Sequence, residues 1–511
     1  MSKNGRLSVG VAALFLTAAN LLGRGMGFLR EVIFAKEFGL SQDFDIYLAG
    51  AIIPLILNTS LLYFAQNFFI PHYHKTAAQG DELKTNFFNR SFVYFAGAGI
   101  LIALLMYTFK GMIIGQYLWN SSAEVKQVAE NVLSIFILSI PVNFTISLIN
   151  SFLFAEFKYV YPAISQLFLN VVVITAVLIF SGVYGVYSIA LGFLGGYVLQ
   201  LLFLLFILLK KFDFNPFRWD KSAKFAKGIT GSLLVILFIE VVNQFHLLVD
   251  RYFINFISEG GISTLNYASI LYVTPITIVS GALSTALFPA LSENFSINKT
   301  EALKEQFLTA AGMIIFLFIP LSTVYIFWGD GIIDIIYKRG VFSAGDVLLT
   351  ADVLKIYAFS MVIYAVYAIV NKLIFSTGLY KYLFYISIIV IGSKITMNFL
   401  FAESMQQNGL ALSSSIAYAG IGIAGFILVN LKLNLKSTAT IVKKGVLIGL
   451  VAVGAWLFVD IFFYFIKLDG FYISFIKIIF FALVYAYFCY ELKIKEFIYL
   501  TDYVKSRISK V

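Results

Sequence analysis

Seven basic side chains lie within long apolar stretches of this 511-residue sequence. A cation at the centre of a membrane helix costs roughly 2.5 to 3.5 kcal/mol, so seven unpaired ones would cost on the order of 20 kcal/mol. They must therefore be paired with acids, reach an interface or line a wet cavity that binds an anion. The seven residues are Arg24, Arg30, Arg251, Lys355, Lys372, Lys394 and Lys477.

Acidic residues in the same stretches are fewer, which leaves an excess of positive charge in the interior. They are Glu240, Asp250, Asp352 and Asp460, with Glu130 at the edge of a stretch. Asp460 and Lys477 flank a short turn at similar depth, so we predict a structural ion pair between them. The remaining positive charge favours an anionic substrate, and a phosphate group is the natural candidate.

Arg24 lies about 24 Å into the first apolar stretch, at about 1.5 Å per helical residue. Glycines surround it, and backbone groups that glycine exposes are tolerated at membrane depth only beside protein or a water-filled cavity. This pattern predicts a bend that carries the cation into the interior, and prolines elsewhere predict further interruptions. The predicted bend residues are Gly23, Gly25, Gly27, Pro54 and Pro275.

Composition shows what surrounds these cations. Hydrophobic residues make up 60% of the chain and charged residues 13%, whereas soluble domains have about 45 to 50% and about 25%. A charged fraction this low cannot cover the surface of a soluble protein of this size. Most of the protein surface must therefore face lipid. A disordered chain, a cytosolic enzyme and a disulfide-stapled secreted module are excluded, the last because Cys489 has no partner.

The apolar stretches predict an all-α polytopic membrane protein with about fourteen spans, each long enough to cross a hydrocarbon core of about 30 Å. The eleventh and twelfth are predicted at 380–402 and 408–431, and the seventh at 229–256. Lys3 and Arg6 precede the first stretch, at 8–34, which we interpret as an uncleaved span. His72 and His74 are too weak a pair to predict a metal site.

The distribution of the 37 Lys and Arg residues predicts that both termini are cytoplasmic. The predicted outer loops carry few of them, namely Lys36, Lys110, Lys126, Lys338, Arg339 and Lys467. We divide the chain into an N-terminal lobe (1–210), a basic cytoplasmic linker (211–228), a C-terminal lobe (229–432) and a region with two further spans and a basic cytoplasmic tail (433–511). The net charge of +10 thus indicates topology, and nucleic acid is not an expected partner.

An offset of 221 positions superimposes four residue pairs in register. They are Arg30 with Arg251, Gly39 with Gly260, Asp45 with Asn266, and Pro54 with Pro275. Six spans separate the two copies, so they share one orientation in the membrane. The offset therefore predicts a parallel repeat of two six-helix lobes, with two spans left over as a C-terminal appendage.

Residues 21–54, LLGRGMGFLREVIFAKEFGLSQDFDIYLAGAIIP, resemble the first two helices of the lipid II flippase family (MurJ/MviN-like), within the multidrug/oligosaccharidyl-lipid/polysaccharide exporter superfamily. Residues 250–293 resemble helices seven and eight of that family. The resemblance implies translocation of a polyprenyl-pyrophosphate-linked saccharide between leaflets by alternating access. It also implies that Arg24 and Arg30 hold the pyrophosphate and that Asp45 belongs to an outer gate. We add Arg251 as a further substrate-binding candidate and Glu31 as a further gate candidate.

Several positions depart from the family pattern. Asn58 and Ile270 stand where lipid II flippases usually carry two further cavity arginines. The family's sodium site is matched by Asp250 and Asn398, but Lys394 precedes Asn398 by one turn and could take the place of the ion. The saccharide therefore stays open between lipid II and a related capsule or O-antigen unit, with Asn58 and Lys372 as further substrate-binding candidates.

We therefore expect a flippase in a bacterial cytoplasmic membrane, with its partners the lipid-linked glycan, the bilayer and envelope-synthesis enzymes. A monomer without cofactor is expected, with possible Na⁺ or H⁺ coupling. One alternative is a cation-coupled multidrug exporter, which would need an acidic cavity. A second is a membrane glycosyltransferase or glycan polymerase, which usually has a large outer loop that this chain lacks.

Overall fold

The computed structural model describes residues 9–212, 214–217, 244–297, 299–466 and 473–508, and the regular secondary structure within these ranges is entirely helical. The first helices are α1 (Val9–Phe38), α2 (Gln42–Ala77), α3 (Asp81–Tyr117), α4 (Ala123–Ala155), α5 (Val160–Tyr184) and α6 (Tyr187–Lys211). Residues 244–252 are helical and lead into a 3₁₀ turn at Phe253–Phe256.

The later helices are α7 (Gly261–Pro275), α8 (Gly281–Ser296), α9 (Thr300–Tyr337), α10 (Ala344–Ser376), α11 (Tyr380–Lys432), α12 (Thr438–Ile466), α13 (Ile473–Glu491) and α14 (Lys495–Ile508). A π-helical turn at Ile276–Ser280 joins α7 to α8. These helices confirm the all-α fold class that the sequence predicted.

Within the described residues, 11 helices are long and apolar enough to cross a membrane, counting α7 and α8 as one. The chain is thus a multi-pass membrane protein. The long helix α11 contains two of the predicted spans, because its backbone leaves helical geometry at Gln406, between 380–402 and 408–431. α1 covers the predicted first span, whereas most of the predicted seventh span lies outside the described residues.

The chain divides into two compact units, residues 1–263 and 264–511. The described residues 244–263 fall in the first of these units, and the predicted start of the C-terminal lobe at residue 229 stays a prediction. In the first unit α4 packs against α2, α3 and α6, and α5 packs against α1 and α6. α4 is accordingly buried over much of its length, and its buried polar residues, such as Ser139 and Asn143, bond back to the helix backbone.

In the second unit α10 packs against α8, α9 and α11, and α9 also contacts α12 and α13. The two spans predicted as an appendage therefore belong to this unit. Phe316 on α9 lies in one apolar core with Ala455 on α12 and Phe481 on α13. The Tyr485 hydroxyl on α13 donates a 3.0 Å hydrogen bond to the Phe316 carbonyl oxygen.

The 221-residue offset also relates helix boundaries in the two units, beyond the four residue pairs found in the sequence. α4 and α10 have 33 residues each, and both ends of α10 lie 221 positions after those of α4. Ser122 caps α4 by accepting from Val125 N at 3.3 Å, and Ser343 caps α10 by accepting from Asp346 N at 3.2 Å. The repeat therefore extends through the middle of each unit.

Backbone conformations at equivalent positions agree as well. Gly185, between α5 and α6, has φ 51° and ψ −134°, and Gln406 within α11 has φ 54° and ψ −136°. The kink in α11 thus corresponds to the turn between α5 and α6. Since Gln406 lacks the freedom of glycine, position on the repeat, rather than residue type, determines this conformation.

The predicted bend residues differ in what the backbone does. α1 is one uninterrupted helix through Gly23, Gly25 and Gly27, and α2 continues through Pro54. At Pro275, by contrast, α7 ends and the π-helical turn begins. Proline removes one backbone hydrogen bond and crowds the preceding turn, which accounts for a local change of helix type there.

Candidate functional site

Arg30 on α1 is held by an ion pair and an amide. Its Nη2 lies 2.7 Å from Glu31 Oε1, and its Nε donates to the same oxygen at 3.2 Å. Nη1 donates to Asn170 Oδ1 on α5 at 3.3 Å. Exposed fractions of 20% for the Arg30 side chain and 13% for that of Glu31 place the pair in a partly enclosed site.

The guanidinium of Arg30 keeps some binding capacity. It has five N–H groups, and three of them make the hydrogen bonds just described. Two N–H groups therefore have no partner among the described residues. Because guanidinium N–H groups match phosphate oxygens in geometry, Arg30 can still bind an anion although Glu31 balances its charge.

Aromatic rings surround this guanidinium. Arg30 Cζ lies 5.0 Å from the centre of the Phe193 ring on α6 and 5.7 Å from that of Phe34. Phe193 contacts Phe136 on α4, which in turn contacts Tyr47 on α2, with ring centroids 5.6 Å and 6.2 Å apart. The rings exclude water on that side and stabilise the cation by cation–π attraction.

We define the Arg30 site as Arg30, Glu31, Tyr47, Asn170 and Phe193. Tyr47 is nearly inaccessible, and its phenol interacts electrostatically with Arg30, Glu31 and Arg251. Arg251 is therefore a second buried arginine whose charge acts on this phenol. Tyr47 was not predicted as a site residue, although it stands two positions after Asp45, and no motif marks Asn170 or Phe193.

Asn58 lies close to this site. Its amide nitrogen and oxygen are buried beside the Tyr197 hydroxyl, yet neither makes a hydrogen bond of normal geometry with any described residue. An unpaired buried amide costs about 1 to 3 kcal/mol. Asn58, predicted as a departure from a family arginine, therefore offers a neutral donor and acceptor where a cation would have been expected.

Arg24 does not share a helix face with Arg30. Six residues separate them, which corresponds to about 9 Å along the axis and a rotation of about 240°. Arg24 is exposed, and a Cβ added at Gly23, Gly25 or Gly27 would meet nothing within 4 Å. The structure thus leaves space around the three glycines and does not bring Arg24 into the Arg30 site.

The Asp45 carboxylate accepts three hydrogen bonds. Gly260 N donates to its Oδ2 at 2.7 Å and Ser263 N to its Oδ1 at 2.6 Å, and the Ser263 hydroxyl also donates to Oδ1. The carboxylate is 1% exposed and lies at the N-terminus of α7, where backbone N–H groups favour negative charge. A side chain at Gly260 would not fit, since its Cβ would lie 2.4 Å from the Leu40 carbonyl oxygen.

Arg251 lies at the same end of the first unit. It is 7% exposed, and its Nη1 donates to the Ile262 carbonyl oxygen at 3.3 Å. Its charge also stabilises the Asp45 carboxylate. Nearby, Gln42 Nε2 donates to Glu259 Oε1 at 2.8 Å. The start of α2 and residues 259–263 are therefore held together by polar contacts, of which those of Asp45 are buried.

The other interior cations divide into paired and available ones. Lys477 lies 3.5 Å from Asp460, as predicted, and Lys355 lies 3.2 Å from Asp352. Lys372 makes no ion pair with any described residue, and its Nζ lies 5.8 Å from the centre of the Phe288 ring. Of these three, Lys372 alone retains a charge that a substrate can use.

The predicted ion site stays a prediction. Asp250 is half-buried in the first unit, and Asn398 is fully buried in the second. Lys394, one turn before Asn398 on α11, is 1% exposed and places an ammonium group deep in the second unit. No group of three or more His, Cys, Asp or Glu side chains that could hold a metal ion occurs in the described part of the chain.

Comparison with known proteins identifies the family. The family model described as lipid II flippase MurJ matches residues 34–481, which is most of the chain. This chain belongs to the MurJ family. The Thermosipho africanus lipid II flippase MurJ is 27% identical over 426 residues, which are 82% of this chain and 85% of that protein.

Solved structures agree with membership of the MurJ family. A lipid II flippase MurJ in an inward closed conformation matches with a TM-score of 0.78 and 25% identity, over 93% of this chain and 98% of the other. An inward-facing multidrug resistance MATE family transporter of the MOP superfamily matches with a TM-score of 0.67 over 84% of this chain and 99% of the other. At 13% identity the second similarity shows the fold alone.

Only some of the candidate residues lie within the part of the chain that matches the MurJ family model. Asp45, Asn58, Arg251 and Lys372 lie within the matched residues 34–481, whereas Arg24 and Arg30 precede them. The family consists of transporters, so the residues of the Arg30 site are candidates for binding and not for covalent chemistry.

Proposed function

We propose that this protein moves a polyprenyl-diphosphate-linked saccharide, lipid II or a closely related envelope precursor, from the inner to the outer leaflet of a bacterial cytoplasmic membrane. The observation that carries this proposal is the Arg30 site, where a half-buried guanidinium with two available N–H groups rests on aromatic rings. Membership of the MurJ family supports the same substrate class.

The diphosphate is the group that the Arg30 site would hold. Its oxygens would accept from the two available N–H groups and compete with Glu31 for the guanidinium, since both are anionic. Arg251, whose charge acts on Tyr47, would add a second positive charge. The guanidinium would thus be paired with an anion both before and after the diphosphate binds, so this cation is never left unpaired in the interior.

Alternating access requires a contact that forms in one state and opens in the other. The fastening of Asp45 to Gly260 and Ser263 fits this role, because several charge-assisted hydrogen bonds would break together. We propose that it closes the outer side of the protein, in keeping with the predicted gate. Coupling to Na⁺ or H⁺ would act by changing the relative stability of the two states.

The polyprenyl tail needs an apolar path. α12 and α13 present large exposed hydrophobic side chains, among them Leu450, Phe458 and Leu483. We propose that the tail runs along these helices while the diphosphate crosses the interior. The Asp460 and Lys477 pair joins the same two helices and keeps them in register.

The alternatives predicted from sequence lack such support. A multidrug exporter for cationic compounds needs an acidic site, whereas the Arg30 site pairs its one acid with an arginine. A glycosyltransferase or polymerase needs an acid or base free to act on a sugar, and Glu31 and Asp45 are each engaged in hydrogen bonds.

The proposal can be tested by complementation in a bacterium whose own lipid II flippase is depleted. Arg30→Gln should lower the rate of lipid-linked saccharide translocation at least about 10-fold, because a charged hydrogen bond to phosphate contributes about 1.5 to 3 kcal/mol. Lys36→Gln is the matched control, since Lys36 lies on the same helix with 46% of its side chain exposed. Wild-type translocation by Arg30→Gln, at equal protein level in the membrane, would refute the proposal.

A further inference from the structure

Five tyrosines form a cluster inside the second unit. They are Tyr272 on α7, Tyr357, Tyr364 and Tyr367 on α10, and Tyr418 on α11, and we refer to them as the tyrosine cluster. Ring centroids are 4.6 Å apart for Tyr364 and Tyr418, 5.3 Å for Tyr272 and Tyr357, and 6.1 Å for Tyr364 and Tyr367. The cluster is thus continuous across three helices.

The cluster has a buried base and a half-buried edge. Tyr272 is fully buried and Tyr357 is 4% exposed, whereas Tyr364, Tyr367 and Tyr418 keep part of their surface accessible. The Tyr272 hydroxyl shares a 2.9 Å hydrogen bond with the Ser360 hydroxyl, which also donates to the Tyr357 carbonyl oxygen at 3.0 Å. The base is therefore fixed, and it supports the rings at the edge.

Two hydroxyls at the edge stay available. Neither Tyr364 nor Tyr367 makes a side-chain hydrogen bond with any described residue. Tyr364 lies near the middle of α10, a helix long and apolar enough to cross a membrane, where an unpaired phenol is costly. A phenylalanine would pack there without an unpaired hydroxyl, so packing alone does not account for tyrosine.

The repeat shows that the fold does not require these phenols. In the first unit the positions equivalent to Tyr357, Tyr364 and Tyr367 hold Phe136, Asn143 and Ile146. α4 and α10 nevertheless have the same length and the same capping serine. The hydroxyls of the tyrosine cluster are thus an addition specific to the second unit.

Resting on the proposed function, we propose that the tyrosine cluster is a binding subsite for the saccharide of the lipid-linked substrate. A sugar ring has C–H groups on its faces and hydroxyls around its rim. The C–H groups would stack on the negative faces of the half-buried rings, and the rim would exchange hydrogen bonds with the two available phenols. Neither an isoprenoid tail nor a cationic drug would match both the aromatic ring faces and the phenol hydroxyls.

The test uses the purified full-length protein and two synthetic probes, a polyprenyl diphosphate that bears a disaccharide and the same lipid without sugar. Tyr364→Phe, which keeps the ring, should weaken equilibrium binding of the saccharide probe about five-fold. Tyr364→Ala should weaken it at least about 10-fold. Both should bind the sugar-free probe within about two-fold of wild type, a margin well below one hydrogen bond.

Two further variants separate the possible failures. Tyr385→Ala on α11 is the matched control, because this tyrosine is 65% exposed, and it should change neither affinity. Arg30→Gln should weaken both probes equally. If it does so while Tyr364→Phe and Tyr364→Ala bind the saccharide probe like wild type, the subsite is refuted and the proposed function stands. Equal losses for both probes in the Tyr364 variants also refute the subsite, and a wild-type protein that binds neither probe refutes both proposals.

Discussion

Phe136 and Tyr357 occupy equivalent positions in the two copies of the repeat, but they contact different side chains. Phe136 contacts Phe193, the ring beneath the Arg30 guanidinium, whereas Tyr357 contacts Tyr272 in the tyrosine cluster. Ser139 and Ser360 bond back to the carbonyl oxygens of these two residues, at 2.7 Å and 3.0 Å. One helical framework thus carries a charged site in one unit and a neutral, phenol-rich site in the other.

The two units keep the same helical framework while the side chains that line it differ in chemistry. Helix bounds and caps are set by backbone hydrogen bonds and short polar residues, which both copies keep. The residues that point into each unit are free to diverge, because the backbone does not depend on them.

The largest expected effect is at Asp45, whose equivalent in the second unit is Asn266. Asp45→Asn imitates the second unit and places an NH₂ donor opposite backbone N–H groups that now donate to the carboxylate. It should lower the free energy of unfolding by about 3 kcal/mol. Denaturant titration in mixed micelles would measure this, with the exposed Asp43→Asn, on the same helix, as control. Equal stability of the two variants would show that the buried contact contributes little.

A smaller effect is expected at Gly260, which has φ 78° and touches the Leu40 carbonyl oxygen. Gly260→Ala should cost about 2 kcal/mol, since it combines left-handed backbone strain with a steric clash. Gly378, in the second unit, has φ 73° but open space around it, so Gly378→Ala should cost only about 1 kcal/mol. Its first-unit equivalent is Phe157 at φ 57°, so a side chain is tolerated there. Similar losses of thermal stability in both variants would contradict this ranking.

The smallest effect concerns the two serines. Ser360→Ala removes the partner of the buried Tyr272 hydroxyl and should cost about 1.5 kcal/mol, against about 0.5 kcal/mol for Ser139→Ala. Adding Tyr272→Phe to Ser360→Ala should recover most of the difference, because no unpaired hydroxyl then remains. A double-mutant cycle on the free energy of unfolding would check this. Additive losses would mean that the two hydroxyls do not depend on each other.

The amino-acid sequence by itself determined the features that depend on residues near one another in the chain or on periodicity. Composition and the length of apolar stretches predicted an all-helical membrane protein, and the repeat was visible in four residue pairs. The pair of Asp460 and Lys477 was predictable because a short turn brings two adjacent helices together at known depth. These inferences need only helix rise and the cost of burying charge.

Tertiary structure alone decided which of the candidate residues meet. Arg30 and Asn170 are 140 positions apart, and their contact depends on the rotation of α1 against α5, which sequence spacing does not encode. The contact of the Arg30 guanidinium with the Phe193 ring, and the available hydroxyls of Tyr364 and Tyr367, have the same origin. Side-chain packing between distant helices determines them, because each contact depends on how both helices are oriented.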